Sequence, residues 1–124
     1  MKLSLLLRVV IFVALLLLFQ VQAFAGHLHL EKYYQEAWCE KAGGVTEYRL
    51  DDGTRLDCLT DDYAIEFDFA PKWAESVGQA LYYSLKTGRQ PGVVLIMVND
   101  GDERYLERLN ALAVKYNIKV WTTP

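Results

Sequence analysis

The chain has 124 residues, of which 52% are hydrophobic, and a formal net charge of −3. Residues 1–25 contain 20 of the hydrophobic residues and carry +2, so the remaining 99 residues have an ordinary hydrophobic content and carry −5. This division favours one small domain behind an apolar leader. It excludes a multidomain protein, a long disordered tail and a strongly basic nucleic-acid binder.

The leader has the pattern of an export signal. Lys2 and Arg8 give it a positive start, residues 9–19 are apolar without interruption, and residues 23–25 (Ala-Phe-Ala) form a small-x-small site that a signal peptidase accepts. The alternative is a retained membrane anchor. A spanning helix needs about 20 apolar residues, and Gln20 interrupts the run before that length.

The chain is therefore divided into a signal peptide, 1–25, and a single domain, 26–124. We expect the domain to be periplasmic or secreted, with no stable membrane insertion once the signal is removed, and the sequence leaves its oligomeric state open. Export places Cys39 and Cys58, the only cysteines, in an oxidising compartment. One disulfide is expected between them, with two buried thiols as the alternative.

The domain is predicted to be α/β, with a mixed sheet flanked by helices and the element order α-β-β-β-α-β-α-β. Apolar periodicity predicts helices at about 28–42, 71–87 and 105–116, and strands at 45–50, 54–59, 63–69, 93–98 and 118–121. Pro91 and Gly92 are predicted to open a loop. Residues 93–98 are apolar on both faces, which is typical of a strand buried between two layers.

Carboxylates occupy the middle of the third predicted strand. Strict alternation over 63–69 puts Glu66 and Asp68 on one face. A short turn before this strand pairs Asp57 with Glu66, and directly opposite residues lie about 5 Å apart on the same face. We therefore expect Asp57, Glu66 and Asp68 to converge.

Three converging carboxylates have two interpretations. Like charges repel unless a cation lies among them, and a divalent cation held by carboxylate oxygens meets that need. The other interpretation is a solvated strand edge, or carboxylates paired with Arg49 or Arg55. Two cysteines with only His27 and His29 near the start make a poor zinc set.

The helix after the third strand carries a polar row at three- or four-residue spacing. Its members are Lys72, Glu75 (or Ser76), Gln79, Tyr83 and Lys86. Lys72 lies four residues after Asp68, and a lysine beside a metal can orient a water or stabilise a pentavalent phosphate. Alternatively, Gln79 and Tyr83 belong to the exposed face of an amphipathic helix.

This order of elements and residues resembles the PD-(D/E)XK nuclease superfamily, which has the restriction-endonuclease-like fold. Asp57 followed nine residues later by Glu66-x-Asp68 is similar to its signature, and residues 79–83 (Gln-Ala-Leu-Tyr-Tyr) look like the Q-x-x-x-Y motif of its RecB-type branch. Glu31 is similar to the early glutamate of Holliday-junction resolvases. The resemblance covers nearly all of residues 28–121.

The resemblance implies an exported, metal-dependent nuclease that hydrolyses nucleic-acid phosphodiesters with Mg²⁺ or Mn²⁺. The implied catalytic residues are Asp57, Glu66, Asp68, Lys72, Gln79 and Tyr83. The implied metal ligands are Asp57, Glu66 and Asp68, together with Glu31, which would hold a metal-bound water. Gln79 and Tyr83 would position the site and the nucleic-acid backbone.

The chain departs from the family pattern at two positions. Leu56 stands where the signature has proline, and Asp68 stands where it has lysine, although Lys72 is placed to supply that cation from the next helix. The charge of −5 disfavours tight binding to a phosphate backbone, and a basic strip of Lys72, Lys86 and Arg89 would offset it only near the site. The alternative is a non-catalytic exported binding or inhibitor module that retains the fold.

Overall fold

The structure, a computed structural model, describes residues 4–124, and for residues 17–30 it gives only the course of the backbone. The chain divides into two units, Met1–Leu30 and Glu31–Pro124. The predicted cleavage site at 23–25 lies outside the residues whose side chains are described, so the export signal stays a prediction. Within the described part of the chain, no helix combines the length and the apolar character needed to cross a membrane.

The predicted fold class is confirmed, because helices flank a five-stranded mixed sheet. The elements are α1 (Leu5–Lys41), β1 (Val45–Arg49), β2 (Arg55–Leu59), β3 (Tyr63–Phe69), a 3-10 turn (Ala70–Lys72), α2 (Trp73–Thr87), β4 (Gln90–Ile96), α3 (Glu103–Tyr116) and β5 (Lys119–Thr123). The strands lie in the order β1-β2-β3-β4-β5. The first two pairings are antiparallel, and the last two are parallel.

Two predicted boundaries are corrected. The first helix begins at Leu5 and not near residue 28, because the leucines and alanine of the leader are themselves good helix formers. The fourth strand begins at Gln90, so Pro91 and Gly92 lie in β4 and not in a loop. Parallel pairing with β3 takes in both residues, and a proline near the start of a strand interrupts the ladder least.

The buried residues of the sheet pack in two layers. Val93 and Leu95 face α2 and α3, where they contact Leu109. On the other face, Phe67 and Val94 pack with residues from the last turns of α1. Because successive residues of β4 point to opposite faces and both sets are buried, the prediction of a strand between two layers is confirmed.

A disulfide joins the end of α1 to β2. Cys39 and Cys58 are bonded, with their Cα atoms 5.8 Å apart, so the predicted pairing is confirmed. Gly44, between α1 and β1, lies against this bond. A Cβ atom at Gly44 would come within 2.6 Å of the Cys58 Sγ and 2.8 Å of the Cys39 Sγ, so the packing there requires glycine.

We expect Gly44→Ala to lower the free energy of unfolding by about 1–3 kcal/mol, because neither sulfur can move without distorting the disulfide or the sheet. Gly78→Ala is the matched control. Gly78 lies on the exposed side of α2 with open space at its Cβ position, so alanine there is expected to stabilise by up to about 1 kcal/mol. Urea unfolding of the two variants measures both effects, and a Gly44→Ala protein as stable as wild type would contradict the packing.

Candidate active site

Three acidic side chains lie together where β2 and β3 separate. Glu66 and Asp68 are only 4% and 5% exposed, and Asp57 on the neighbouring strand is half-buried. Carboxylates are rarely buried to this extent without a partner, because the charged form loses its hydration. The groups that surround these three carboxyl groups therefore determine their protonation and their hydrogen bonding.

Asp57 and Glu66 are brought together by bonds that replace the strand ladder. The β2–β3 pairing ends at Cys58 opposite Ile65, so the predicted backbone pairing of Asp57 with Glu66 does not form. Instead, the Asp57 N–H donates to the Glu66 Oε1 at 3.2 Å, and the Phe67 N–H donates to the Asp57 Oδ2 at 2.8 Å. Each carboxylate thus accepts from the backbone of the neighbouring strand, and the charge of Asp57 acts directly on Glu66.

Burial raises the pKa of all three carboxyl groups. For Glu66, the charge of Asp57 adds to the effect of burial on the pKa. For Asp68, burial and the charge of Glu31 raise the pKa to about 8, although Lys72 opposes the shift. Glu31 also raises the pKa of Asp57 and of Glu66. Glu31 of α1 therefore belongs to the same electrostatic cluster.

The arginines proposed as partners of these carboxyl groups lie elsewhere. Arg55 lies 3.5 Å from Glu47 in an ion pair, and Arg49 lines a separate cavity. Among the residues that the structure describes, no lysine or arginine lies within ion-pair distance of Asp57, Glu66 or Asp68. Neither the solvated edge nor the arginine pairing predicted as the alternative accounts for the cluster.

The predicted metal set of four does not form one group. Over the described residues, no three or more His, Cys, Asp or Glu side chains are arranged to hold a metal ion. A smaller set does fit. Mg²⁺ keeps several of its waters and is held by one or two carboxylates, which the neighbouring side chains of Asp57 and Glu66 supply. Asp68 and Glu31 then contribute negative charge beside the pair.

Helix α2 contributes Tyr83 to the same region. Tyr83 is 7% exposed and packs with Leu56 and Ala64. Its pKa is raised by burial first and then by the charge of Glu66, so the phenol lies near the carboxyl pair. Gln79 is half-buried one turn earlier on α2. The interpretation of Tyr83 as part of an exposed helix face is therefore wrong.

Lys72 ends the turn that follows β3. Pro71 has the fixed φ suited to the start of a helical turn, and it leads the chain directly from β3 into residues Ala70–Lys72. Lys72 is exposed, and its charge lowers the pKa of Asp68. The turn thus places an exposed cation at the rim of the cluster.

Two residues of the site were not predicted from the sequence. Gln35 of α1 is 3% exposed, and its Nε2 donates to the Asp57 carbonyl at 2.9 Å and to the Glu47 Oε1 at 3.0 Å. Glu47 lies within β1 at a φ of 51°, which is uncommon for any residue except glycine. The available signal was the spacing of Gln35, four residues after Glu31 and so on the same helix face.

The raised pKa values make stability depend on pH. Between about pH 4 and pH 8 the folded state holds more protons than the unfolded state, so the free energy of unfolding falls as pH rises through this window. Glu66→Gln removes one of these groups, and without divalent cations we expect it to gain stability relative to wild type between about pH 4.5 and pH 8. Urea unfolding in EDTA measures the gain. Glu107→Gln, exposed on α3, is the control, and an equal gain there would contradict the assignment.

Comparisons with protein-family models, with curated proteins and with solved structures find no match for this chain. No residue role is therefore carried over from a relative. The functional assignment depends on the described geometry, in which a buried carboxyl pair has a third carboxyl group beside it and a tyrosine from the neighbouring helix nearby.

Proposed function

We propose that the chain is a metal-dependent phosphodiester hydrolase that acts on nucleic acid, with Asp57 and Glu66 holding Mg²⁺ or Mn²⁺. The observation that carries this proposal is the close pair of carboxyl groups, Glu66 buried and Asp57 half-buried, which has no ion-pair partner among the described residues. Membership of the PD-(D/E)XK superfamily and export from the cell are parts of the same proposal.

The electrostatics of the pair favour a divalent cation. Two neighbouring carboxylates that are largely removed from water are not both charged unless a positive charge compensates them, and a proton compensates only one. A divalent cation compensates both. When bound, the metal supplies Lewis acidity toward a phosphoryl oxygen and a water.

The surrounding residues hold this pair in place. Gln35 fixes the backbone of Asp57 through its carbonyl, and the Asp57 N–H fixes the Glu66 carboxylate. Tyr83 packs with Leu56 in a buried cluster next to the pair. Because each group is held by a neighbouring element, the two carboxyl groups are preorganised and need little rearrangement.

Lys72 is proposed to act on the phosphate. It lies at the rim of the cluster and is exposed, so its side chain can move toward a phosphate that approaches the pair. A cation aimed at the charge that develops in the transition state is among the largest contributions to catalysis. The family pattern has a lysine at the position of Asp68. In this role Lys72 supplies the positive charge of that lysine from the start of the next helix.

The disulfide supports the proposed location. Disulfides persist in oxidising compartments and are rare in the cytosol, so the Cys39–Cys58 bond agrees with a periplasmic or secreted protein. An exported hydrolase of this kind would meet nucleic acid outside the cytoplasm. The proposed substrate class is therefore extracellular or incoming DNA or RNA.

A second candidate is a non-catalytic exported binding or inhibitor module with the same fold. Asp68 favours it, because this buried acid stands where the family has its lysine. The lack of a three-residue metal group over the described residues favours it as well. In this case Asp57 and Glu66 would share a proton and would stabilise the strand opening without binding metal.

The experiment uses the full chain, purified in mild detergent, with plasmid DNA, linear DNA and RNA. We expect cleavage with Mg²⁺ or Mn²⁺ and none with EDTA. Asp57→Asn and Glu66→Gln are expected to lower the rate at least about 100-fold, because each removes a metal ligand. Glu107→Gln, which removes an exposed carboxylate on α3, is expected to cleave at the wild-type rate.

Two results would contradict the hydrolase proposal. Equal residual cleavage in wild type and in both variants would identify a contaminating nuclease. A wild-type protein that shows neither cleavage nor a rise in its unfolding temperature with Mg²⁺ or Mn²⁺ would favour the non-catalytic module.

Lys72→Met separates catalysis from metal binding. If Lys72 stabilises the transition state, this variant loses about 100-fold in kcat while its Mn²⁺ affinity, measured by titration calorimetry, stays within twofold of wild type. Lys115→Met, exposed on α3, is the control for the loss of one positive charge. A similar loss of rate in both variants would show a general charge effect and would remove Lys72 from the site.

A further inference from the structure

A basic cavity of about 310 Å³ lies at the C-terminal end of α2. Its positive residues come from three different segments. Arg49 is the last residue of β1, Lys86 lies in the last turn of α2, and Arg89 lies in the link between α2 and β4. The cavity thus brings Arg49 beside two cations, Lys86 and Arg89, that are distant from it in the sequence.

The cavity has a local excess of positive charge in an acidic protein. Asp51 is the acidic residue in its lining, against Arg49, Lys86 and Arg89. Over the described residues, none of these three cations forms an ion pair. Lys86 acts at longer range on Asp52, whose pKa its charge helps to lower. The three cations are therefore available to an anionic ligand.

The walls of the cavity are held by hydrogen bonds. The Ser84 hydroxyl donates to the Arg89 carbonyl at 2.6 Å, and the Thr87 hydroxyl donates to the Tyr83 carbonyl at 2.7 Å. The Arg89 N–H donates to the Thr87 Oγ1 at 3.3 Å. Gly88, at a φ of 70°, allows the sharp turn between them. The backbone of Arg89 is thus held by hydrogen bonds on both its N–H and its carbonyl.

Tyr83 connects the cavity to the carboxyl pair. Leu59, which lines the cavity, packs in the cluster that contains Tyr83. Thr87 follows Tyr83 by one helical turn, about 6 Å along the axis, and Leu59 follows Asp57 by two strand residues, about 7 Å. The cavity and the pair are therefore near enough to contact the same stretch of a nucleic-acid backbone.

We propose that this cavity binds a backbone phosphate of a nucleic acid, next to the phosphate that lies at the Asp57–Glu66 pair. The proposal rests on the proposed function and deepens it. Arg49 and Arg89 have the planar, forked donors that match phosphate oxygens, and Lys86 adds a point charge. An anchored phosphate would explain how a domain with a net charge of −5 binds a polyanion.

Binding is tested apart from cleavage, with the full chain in EDTA and a fluorescein-labelled single-stranded DNA oligonucleotide. We expect Lys86→Gln and Arg89→Gln each to raise the Kd about fivefold, and to reduce the slope of log K against log salt by about 1. Arg108→Gln is the matched control, because it removes the same charge from exposed α3. Its Kd is expected to stay within twofold of wild type.

The outcomes separate this proposal from the proposed function. Wild-type binding by both cavity variants, or an equal loss in Arg108→Gln, overturns the cavity as a phosphate site. Competition by inorganic phosphate as strong as by unlabelled oligonucleotide overturns the nucleic-acid backbone as its ligand. Cavity variants that lose DNA binding, in a protein that cleaves nothing with any metal, support the cavity and overturn the hydrolase. Matching urea midpoints for all variants establish that each one is folded.

Discussion

The carboxyl groups of Asp57 and Glu66 lie close together where β2 and β3 separate, and this closeness requires a positive charge, either a proton or a cation. Other features of the region follow from this requirement. The β2–β3 ladder stops at Cys58, because the backbone N–H groups beyond it are used by the carboxylates. Burial then magnifies the repulsion, since the interior screens charge poorly. Folding with these carboxyl groups ionised therefore costs free energy, and a bound cation would lower that cost.

The fold supplies the rigidity that such a pair needs. Gln35 ties α1 to the backbone of Asp57, and the same amide group binds Glu47 in β1. The left-handed backbone of Glu47 costs free energy, and conformations of this kind persist where the surroundings determine them fully. Three elements therefore meet at one side chain, Gln35, which carries no charge and belongs to no short motif.

The sequence predicted the parts of this structure that depend on local pattern. The alternation of β3 and the polar turn before it placed Glu66 beside Asp57, and the two-sided apolar run identified β4. The start of β4 was missed because parallel pairing with β3 overrides the usual preference of Pro91 for a loop. Gln35 shares a helix face with Glu31, but a glutamine in a helix and a glutamate in a strand follow ordinary patterns. The role of Gln35 and Glu47 therefore appears only through contacts distant in the chain.

The buried disulfide has a consequence for how the protein responds to reducing agents. Cys39 and Cys58 are both fully buried, and Gly44 packs directly over their sulfur atoms. Reduction needs a thiolate to approach one sulfur in line with the bond. An external thiol must therefore wait for the segment between α1 and β1 to lift away. Reduction then proceeds only through that local opening, so it is slower than for an exposed disulfide by the fraction of molecules that are open.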